Sequence, residues 1–361
     1  MSKKAIIAMS GGVDSSVAAL LIKKSGFECI GATMKLFSNE NINISREKSC
    51  CSLSDVEDAK SVCLKLDIPH YVFNFSDKFD ECVINKFVSA YLTGSTPNPC
   101  IECNRSLKFD KMILRMKELG FDYVVTGHYV QVEKNNNGRY LLKKAKDLSK
   151  DQSYVLYMLS QEQLKHTLFP LGSLLKSEVR EIAEQNSFVN SAKHDSQDIC
   201  FVPDGKYSDF IEKYTGISSK PGNFISKDGH IFGTHKGISH YTIGQRKGLG
   251  ISYSSPLYVT DIKMDTNEVV LGTEADLYTD SLIADNVNLI SIDAIEKPMR
   301  IKAKVRYRHS EQPATVTSLP DGKIYVKFDE PQRAITKGQA VVMYDGDVVV
   351  GGGTIIKAGV K

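Results

Sequence analysis

The first half of the chain alternates two apolar textures. Residues 4–9 (KAIIAM) form a short apolar run that ends at glycines, as a buried parallel strand does. Residues 13–25 follow with Val13, Val17, Leu20 and Leu21 at helical spacing. The same reading predicts strands over 27–34, 70–75 and 122–126, and helices over 54–66, 77–92 and 106–119. Strands alternating with helices predict βαβ units, and so a doubly wound α/β parallel sheet with helices on both faces. After about residue 215 the helical period disappears. Short β-branched and aromatic runs replace it, among them HYTIG, PLYVTDI, EVVLG and KIYVKF, with Asp321-Gly322 and Asp345-Gly346 as hairpin-turn pairs. These predict mostly antiparallel β domains. The expected division is 1–215, a small central β-rich domain at 216–277, and a C-terminal β-barrel at 278–361.

Composition narrows this picture in three ways. At 361 residues, the chain exceeds one ordinary core, which agrees with two or three domains. With 42% hydrophobic and 25% charged residues, the profile is that of a soluble globular protein. The 46 basic and 43 acidic residues leave a net charge of +3, so an RNA surface would have to come from local clustering. No apolar run approaches a membrane span, and the N-terminal run lacks the length and cleavage site of a signal peptide; the expected location is the cytoplasm. There the eight cysteines are thiols rather than a disulfide framework, with Cys29 and Cys63 as packing residues.

Candidate chemistry begins where the first strand meets the first helix. Ser10-Gly11-Gly12-Val13-Asp14-Ser15-Ser16 joins a tight glycine turn to a helix N-terminus, with three hydroxyls beside it. Amide N–H groups, helix dipole and hydroxyls together make a phosphate cradle. It is neither a Walker A loop, since no Gly-Lys-Ser/Thr closes it, nor a G-x-G-x-x-G dinucleotide turn. The string SGGVDS resembles the PP-loop of the N-type ATP pyrophosphatases. That resemblance implies a Rossmann-like fold and ATP cleavage between the α- and β-phosphates. Ala8, Met9, Ser10, Gly11, Gly12, Val13, Asp14 and Ser15 would hold the nucleotide, and Asp14 would serve the Mg²⁺–pyrophosphate end. Met34 and Gly127, at two further strand ends, would contact adenine or ribose.

Two cysteines far apart in sequence carry the second signal. Thr96 to Arg105 (TPNPCIECNR) is a proline-pinned loop before a helix, where the dipole, Arg105 and Lys108 would lower the thiol pKa of Cys103. Downstream, His194 to Val202 (HDSQDICFV) turns abruptly apolar around Cys200. SGGVDS, NPC-x-x-CN, TGHY, KDQSY, SQDICF and GQRKGLG occur here in the order found in the bacterial tRNA-specific 2-thiouridylases, and the resemblance covers nearly the whole chain. It implies that Cys200 carries a persulfide and that Cys103 is the nucleophile that frees the sulfur. Asn98, Pro99 and Cys100 would meet the target base. The implied reaction is ATP-dependent thiolation of the wobble uridine in tRNAs of the Lys, Glu and Gln type. The sulfur donor would be a cysteine desulfurase or a sulfur-carrier protein. One departure stands out: Cys100 replaces the Asp common in the family, giving C-x-x-C. An iron–sulfur cluster on Cys100, Cys103 and Cys200 is therefore a chemical alternative to the persulfide.

The RNA surface is expected on residues 300–308, where Arg300, Lys302, Lys304, Arg306 and Arg308 alternate with Ile301, Ala303, Val305 and Tyr307. A continuous strand would put five cations on one face. By the same resemblance, His128, Lys150, Asp151, Gln152, Arg306, Tyr307 and Gln339 would contact tRNA.

Overall fold

The computed structural model describes residues 2–37, 53–193, 199–202 and 205–360. Cys50, Cys51 and His194 to Asp198, including Ser196 and Gln197 of the SQDICF motif, lie outside the described residues. The chain divides into two compact units. The first comprises residues 1–84, 99–204 and 346–351, and the second comprises residues 85–98, 205–345 and 352–361.

The first unit is built on the expected parallel sheet. β1 (Lys4–Ala8), β2 (Glu28–Lys35), β3 (His70–Asn74), β4 (Tyr123–Val125) and β7 (Thr167–Leu168) stand in the order β3-β2-β1-β4-β7. Every pairing in it is parallel, with Ile6 opposite Ile30 on one side and Val124 on the other. The chain winds outward from β1 to β3 and then crosses to β4. The order therefore reverses beside β1, and the carboxyl ends of β1 and β4 flank the crevice where such sheets bind ligands.

α1 (Val13–Lys24) buries residues on nearly every side, which a helix does only inside a core. Its Val17 and Ala18 join Ala5 and Ile7 of β1, together with Val179 and Ala183 of the C-terminal helix of this unit. That helix, α5, spans Lys176–Gln185. Between them, α2 (Leu53–Lys65) contributes Ala59, Val62 and Cys63 to the same core. The antiparallel hairpin of β5 (Val130–Lys134) and β6 (Tyr140–Lys144) extends through Val348, which pairs with Lys143.

One boundary differs from expectation with a chemical consequence. The helix foreseen over 106–119 starts at Pro99: α3 (Pro99–Cys103), a wide π-type stretch Asn104–Phe109 and α4 (Asp110–Glu118) follow without interruption. Proline is well suited to a first helical turn because its missing N–H has no partner there. Cys103 thus sits one turn inside the helix rather than at its start, and Cys100 occupies the N-terminal turn.

In the second unit, the stretch from residue 205 begins with α6 (Tyr207–Thr215), closed by Gly216 at φ +69°. Beyond it come strands and short 3₁₀ turns. A four-stranded sheet runs β10-β11-β8-β9: β8 is Gly222–Ser226, β9 Ile231–His235, β10 Tyr258–Lys263 and β11 Glu268–Gly272. Its β11–β8 pairing is parallel, an exception in an otherwise antiparallel region. Phe224, Val259, Val269 and Leu271 form its core.

The remaining strands are β12 (Tyr278–Leu289), β13 (Met299–Lys304), β14 (Gln312–Ser318), β15 (Ile324–Arg333), β16 (Ala340–Asp345) and β17 (Val348–Ala358). They follow the order β12-β15-β14-β13-β16-β17, and a β17–β12 pairing closes the ring. Closure removes the exposed edges that an open sheet would leave. Asp321 and Gly322 both have positive φ between β14 and β15, as the hairpin reading required.

Candidate active site

The loop after β1 is shaped by close approaches. Gly11 has φ +74°, and a side chain there would strike the Asp55 backbone at 2.4 Å. Gly12 is the N-cap of α1 and has no side chain with which to bond the first helical amides. Ser15 Oγ and Ser16 Oγ instead donate to the Gly12 carbonyl at 2.9 and 3.0 Å, fixing the turn from below. Ser10 Oγ lies 3.3 Å from Ser15 Oγ. The result is a glycine-lined anion cradle at a helix N-terminus, which fits a phosphate chain.

Gly127 meets this loop directly. A Cβ on it would lie 2.8 Å from the Asp14 carbonyl carbon and 2.9 Å from the Ser15 nitrogen. The ends of β1 and β4 are thus pressed together, and any larger residue at 127 would push the loop away. Met34 stands near the end of β2, half-buried. The expected nucleotide residues therefore lie along the carboxyl edge of one sheet.

Asp14 faces two groups to which the sequence analysis gave no role. Lys176 Nζ donates to both carboxylate oxygens, at 2.7 and 2.8 Å, and Tyr129 Oη donates to Oδ1 at 2.8 Å. The Lys176 side chain is only 10% exposed, against 31% for Asp14, so this pair is shielded from water on the lysine side. Asp14 remains open enough to face a metal-bound pyrophosphate, and a carboxylate oxygen carries lone pairs beyond those already used. Opposite, Asn190 Nδ2 donates to the Gly11 carbonyl at 2.9 Å and to Ser16 Oγ at 3.0 Å. Lys193 Nζ reaches the same carbonyl at 3.3 Å while pairing with Asp55 and Asp58 at 2.6 and 2.7 Å. Lys176, Asn190 and Lys193 escaped the sequence reading because each lies some 160 or more residues from its partner on the loop. The only signal was Tyr129, already inside TGHY.

Behind the crevice, His128 is buried against the rings of Phe109 and Phe169, which also pack on each other, with Nδ1 2.8 Å from Thr126 Oγ1. Burial, followed by the nearby Lys108 charge, holds its pKa well below the ordinary value, so the ring is neutral. The KDQ turn is also internally engaged. Gln152 accepts from the Tyr129 amide at 2.9 Å, while Asp151 accepts from the Ala145 amide at 3.0 Å and from the Ser153 hydroxyl. Lys150 is half-exposed beside them.

The cysteines sort by environment. Burial pushes the Cys29 thiol up to about 11 and the Cys63 thiol up to about 12, which makes both inert at neutral pH. Cys103 is buried on α3, Cys100 is exposed one turn earlier, and Pro99 is buried. Cys200 is half-exposed, and the next residue, Phe201, anchors its segment against Phe79 at 5.7 Å between ring centres. Among the described residues, no three His, Cys, Asp or Glu side chains converge as metal ligands, Cys100, Cys103 and Cys200 included.

In the second unit the expected five-cation face is cut short, because β13 ends at Lys304 and the chain turns. Arg300 is held bidentately by Asp329 at 2.6 and 2.7 Å. Arg306 Nη2 donates to the carbonyls of Ile243 and Ala334 and to Thr336 Oγ1, at 3.1, 3.0 and 2.6 Å. Arg300, Lys302, Tyr307 and Arg308 are the exposed members of the stripe, and of these Arg300 is already paired with Asp329. Gln339 Nε2 donates to the Thr96 carbonyl at 2.7 Å, so it holds the stretch leading to Asn98, itself half-buried.

This arrangement meets its counterparts in known proteins. Residues 3–204 match the family described as tRNA methyl transferase HUP domain, and residues 208–273 match its PRC-barrel domain. Residues 279–355 match an aminomethyltransferase beta-barrel domain. The tRNA-specific 2-thiouridylase MnmA of Clostridium beijerinckii is 52% identical over 98% of this chain and 99% of its own length. That of Clostridioides difficile is also 52% identical, over 99% of both. The chain belongs to the tRNA-specific 2-thiouridylase family. A solved 4-thiouridine synthetase–RNA complex with bound ATP aligns over 56% of this chain and 45% of its own, at 20% identity and a TM-score of 0.39, too distant to bear on the site. The exposed position that Cys100 takes on α3 separates it from buried Cys103.

Proposed function

We propose that this protein is an ATP-dependent tRNA sulfurtransferase that converts the anticodon wobble uridine to 2-thiouridine. The observation that carries the reading is the glycine cradle closed by Gly127 against Asp14, in a chain whose two thiouridylase-motif cysteines lie in the same unit. The 2-oxygen of uridine attacks the α-phosphorus of ATP, and pyrophosphate leaves into the cradle at residues 10–15. Mg²⁺, facing Asp14, would neutralise the departing pyrophosphate. The terminal sulfur of a Cys200 persulfide then attacks C2 and expels AMP. Cys103 attacks the inner sulfur, leaving sulfur on the base and a Cys103–Cys200 disulfide, which an external thiol reduces.

Asn98, Pro99 and Cys100 would border the base, and the tRNA would be of the Lys, Glu or Gln type. Of the tRNA set, exposed Tyr307 and half-exposed Lys150 are suited to direct contact. His128, Asp151, Gln152, Arg306 and Gln339 would act by holding loops in shape, since their side chains are engaged inside the protein. The division at 1–215, 216–277 and 278–361 belongs to this reading, supported by the spans of the three family matches. Among the described residues no helix is long and apolar enough to cross a membrane, which is compatible with a cytoplasmic enzyme fed by a cysteine desulfurase or a sulfur-carrier protein. The match to 2-thiouridylase relatives supports the persulfide reading over an iron–sulfur cluster.

The test is mass spectrometry of tRNA nucleosides after incubation with ATP, a persulfide donor and enzyme. Cys200→Ser should accept no persulfide, and Cys103→Ser should be loaded but idle. Cys100→Ser should keep its activity and contain no iron. Loss of both activity and iron in an anaerobic Cys100→Ser preparation would sink the persulfide route.

A further inference from the structure

Lys176 occupies a position that a lysine ordinarily avoids. It is the first residue of α5, where the helix dipole repels a cation, and it is 8% exposed. The helix start has already been provided for. Asp147 accepts from the Lys176 amide at 3.0 Å, and the Glu178 carboxylate accepts from the Leu175 amide. The Lys176 ammonium contributes nothing to that cap. Its ammonium instead lies over the Tyr129 ring, 5.6 Å from the centroid, and donates to both Asp14 carboxylate oxygens. Tyr129 braces the same carboxylate, and Gly127 packs on the Asp14 backbone, so the ammonium is held at the crevice between β1 and β4.

A phosphate chain entering this cradle would meet the Asp14 carboxylate. Two anions side by side in a partly dry site repel unless a cation lies between them. We propose that Lys176 is a binding residue for the phosphate end of ATP. It neutralises Asp14 before nucleotide enters, then passes from the carboxylate to the phosphate oxygens, leaving Asp14 to the metal side of the pyrophosphate. Lysine suits this exchange because its ammonium is a point charge on a flexible four-carbon stem with three rotatable donors. This inference rests on the nucleotide reading of the loop.

ATP binding to the full-length protein, by equilibrium dialysis with and without Mg²⁺, tests it. Lys176→Met keeps the stem and should bind ATP at least about tenfold more weakly, the loss of one charge-assisted phosphate contact. Mn²⁺ binding to nucleotide-free Lys176→Met, read by electron paramagnetic resonance, should tighten because Asp14 has lost its resident cation. Asp14→Asn/Lys176→Met removes both charges, so it should melt near wild type and still bind ATP weakly. Wild-type ATP affinity in the double variant would show that Lys176 serves only to offset Asp14, and would overturn the proposal. So would unchanged ATP and Mn²⁺ binding in a folded Lys176→Met. Failure of the wild-type protein itself to bind ATP would instead refute the nucleotide reading of the loop.

Discussion

At Asp14 in the first unit, a nearly buried lysine and a tyrosine hydroxyl converge on one carboxylate in the first turn of the helix that follows β1. On β13 in the second unit, cations alternate along a barrel strand, and Arg300 meets its acid on the open surface. The first arrangement is a few charges in low dielectric, where geometry decides the energy. The second is a charged surface in water, where pairing counts for little and phosphate attraction is screened by salt. The difference teaches where to look for function: in the first region at which atoms touch, and in the second at which cations no internal acceptor has claimed.

The sharpest way to break this comparison is Asp14→Asn. It removes the carboxylate proposed to face the metal and strands Lys176 without its counter-charge. Thiolation should fall by about a thousandfold or more, on the scale of losing an electrostatic group at a reacting centre, while tRNA binding stays near wild type. Stability should drop by about 3 kcal/mol, the scale for a shielded charge that has lost its partner. Near-normal thiolation in a folded variant would remove the loop from the chemistry.

Arg306 and Arg308 divide the second region. Arg306→Ala removes the guanidinium donor from the Ile243 and Ala334 carbonyls and the Thr336 hydroxyl, of which the Ala334 carbonyl keeps the Thr336 hydroxyl as donor, so a loss of about 2 kcal/mol is expected in denaturant unfolding. Arg308→Ala should leave stability unchanged and lower the salt slope of tRNA binding by about one. If Arg306→Ala moves the slope and not the stability, the two roles are exchanged.

A smaller effect comes from acid. His128 has a folded pKa well below its unfolded value of about 6.5, chiefly through burial. Below pH 6.5 the unfolded chain binds a proton that the folded chain refuses. The contribution is therefore complete above pH 6.5 and is lost as pH falls toward the folded pKa, by up to about 1.4 kcal/mol per pH unit. His128→Phe should flatten the melting profile between pH 6.5 and 5. An unchanged acid slope would mean that the ring is not held neutral.

The smallest effect is expected at Arg300→Ala, which breaks a solvent-exposed ion pair with Asp329. Thermal melting should not change measurably, and the salt slope should hold, because the guanidinium is already occupied. A lowered slope would return Arg300 to the RNA surface.

The sequence by itself determined the alternating strands and helices, the change to β structure after residue 215, the glycine cradle and the order of the thiouridylase motifs. Each is a local signal, carried by hydrophobic period, glycine chemistry or contiguous strings. It also foresaw that Cys29 and Cys63 pack in the core. Tertiary structure alone decided what faces Asp14, because Lys176 reaches it from 162 positions away. Only the tertiary structure revealed that Cys103 lies a full turn inside its helix, since Pro99 opens that helix earlier than the apolar period does. It also withdrew Arg306 from the charged stripe: alternation along residues 300–308 reports which side chains share a face, but a strand that ends at Lys304 releases the next residues to whatever acceptors the fold brings near. Periodicity is a property of neighbours in the chain, and the partner of a charge is a property of neighbours in space.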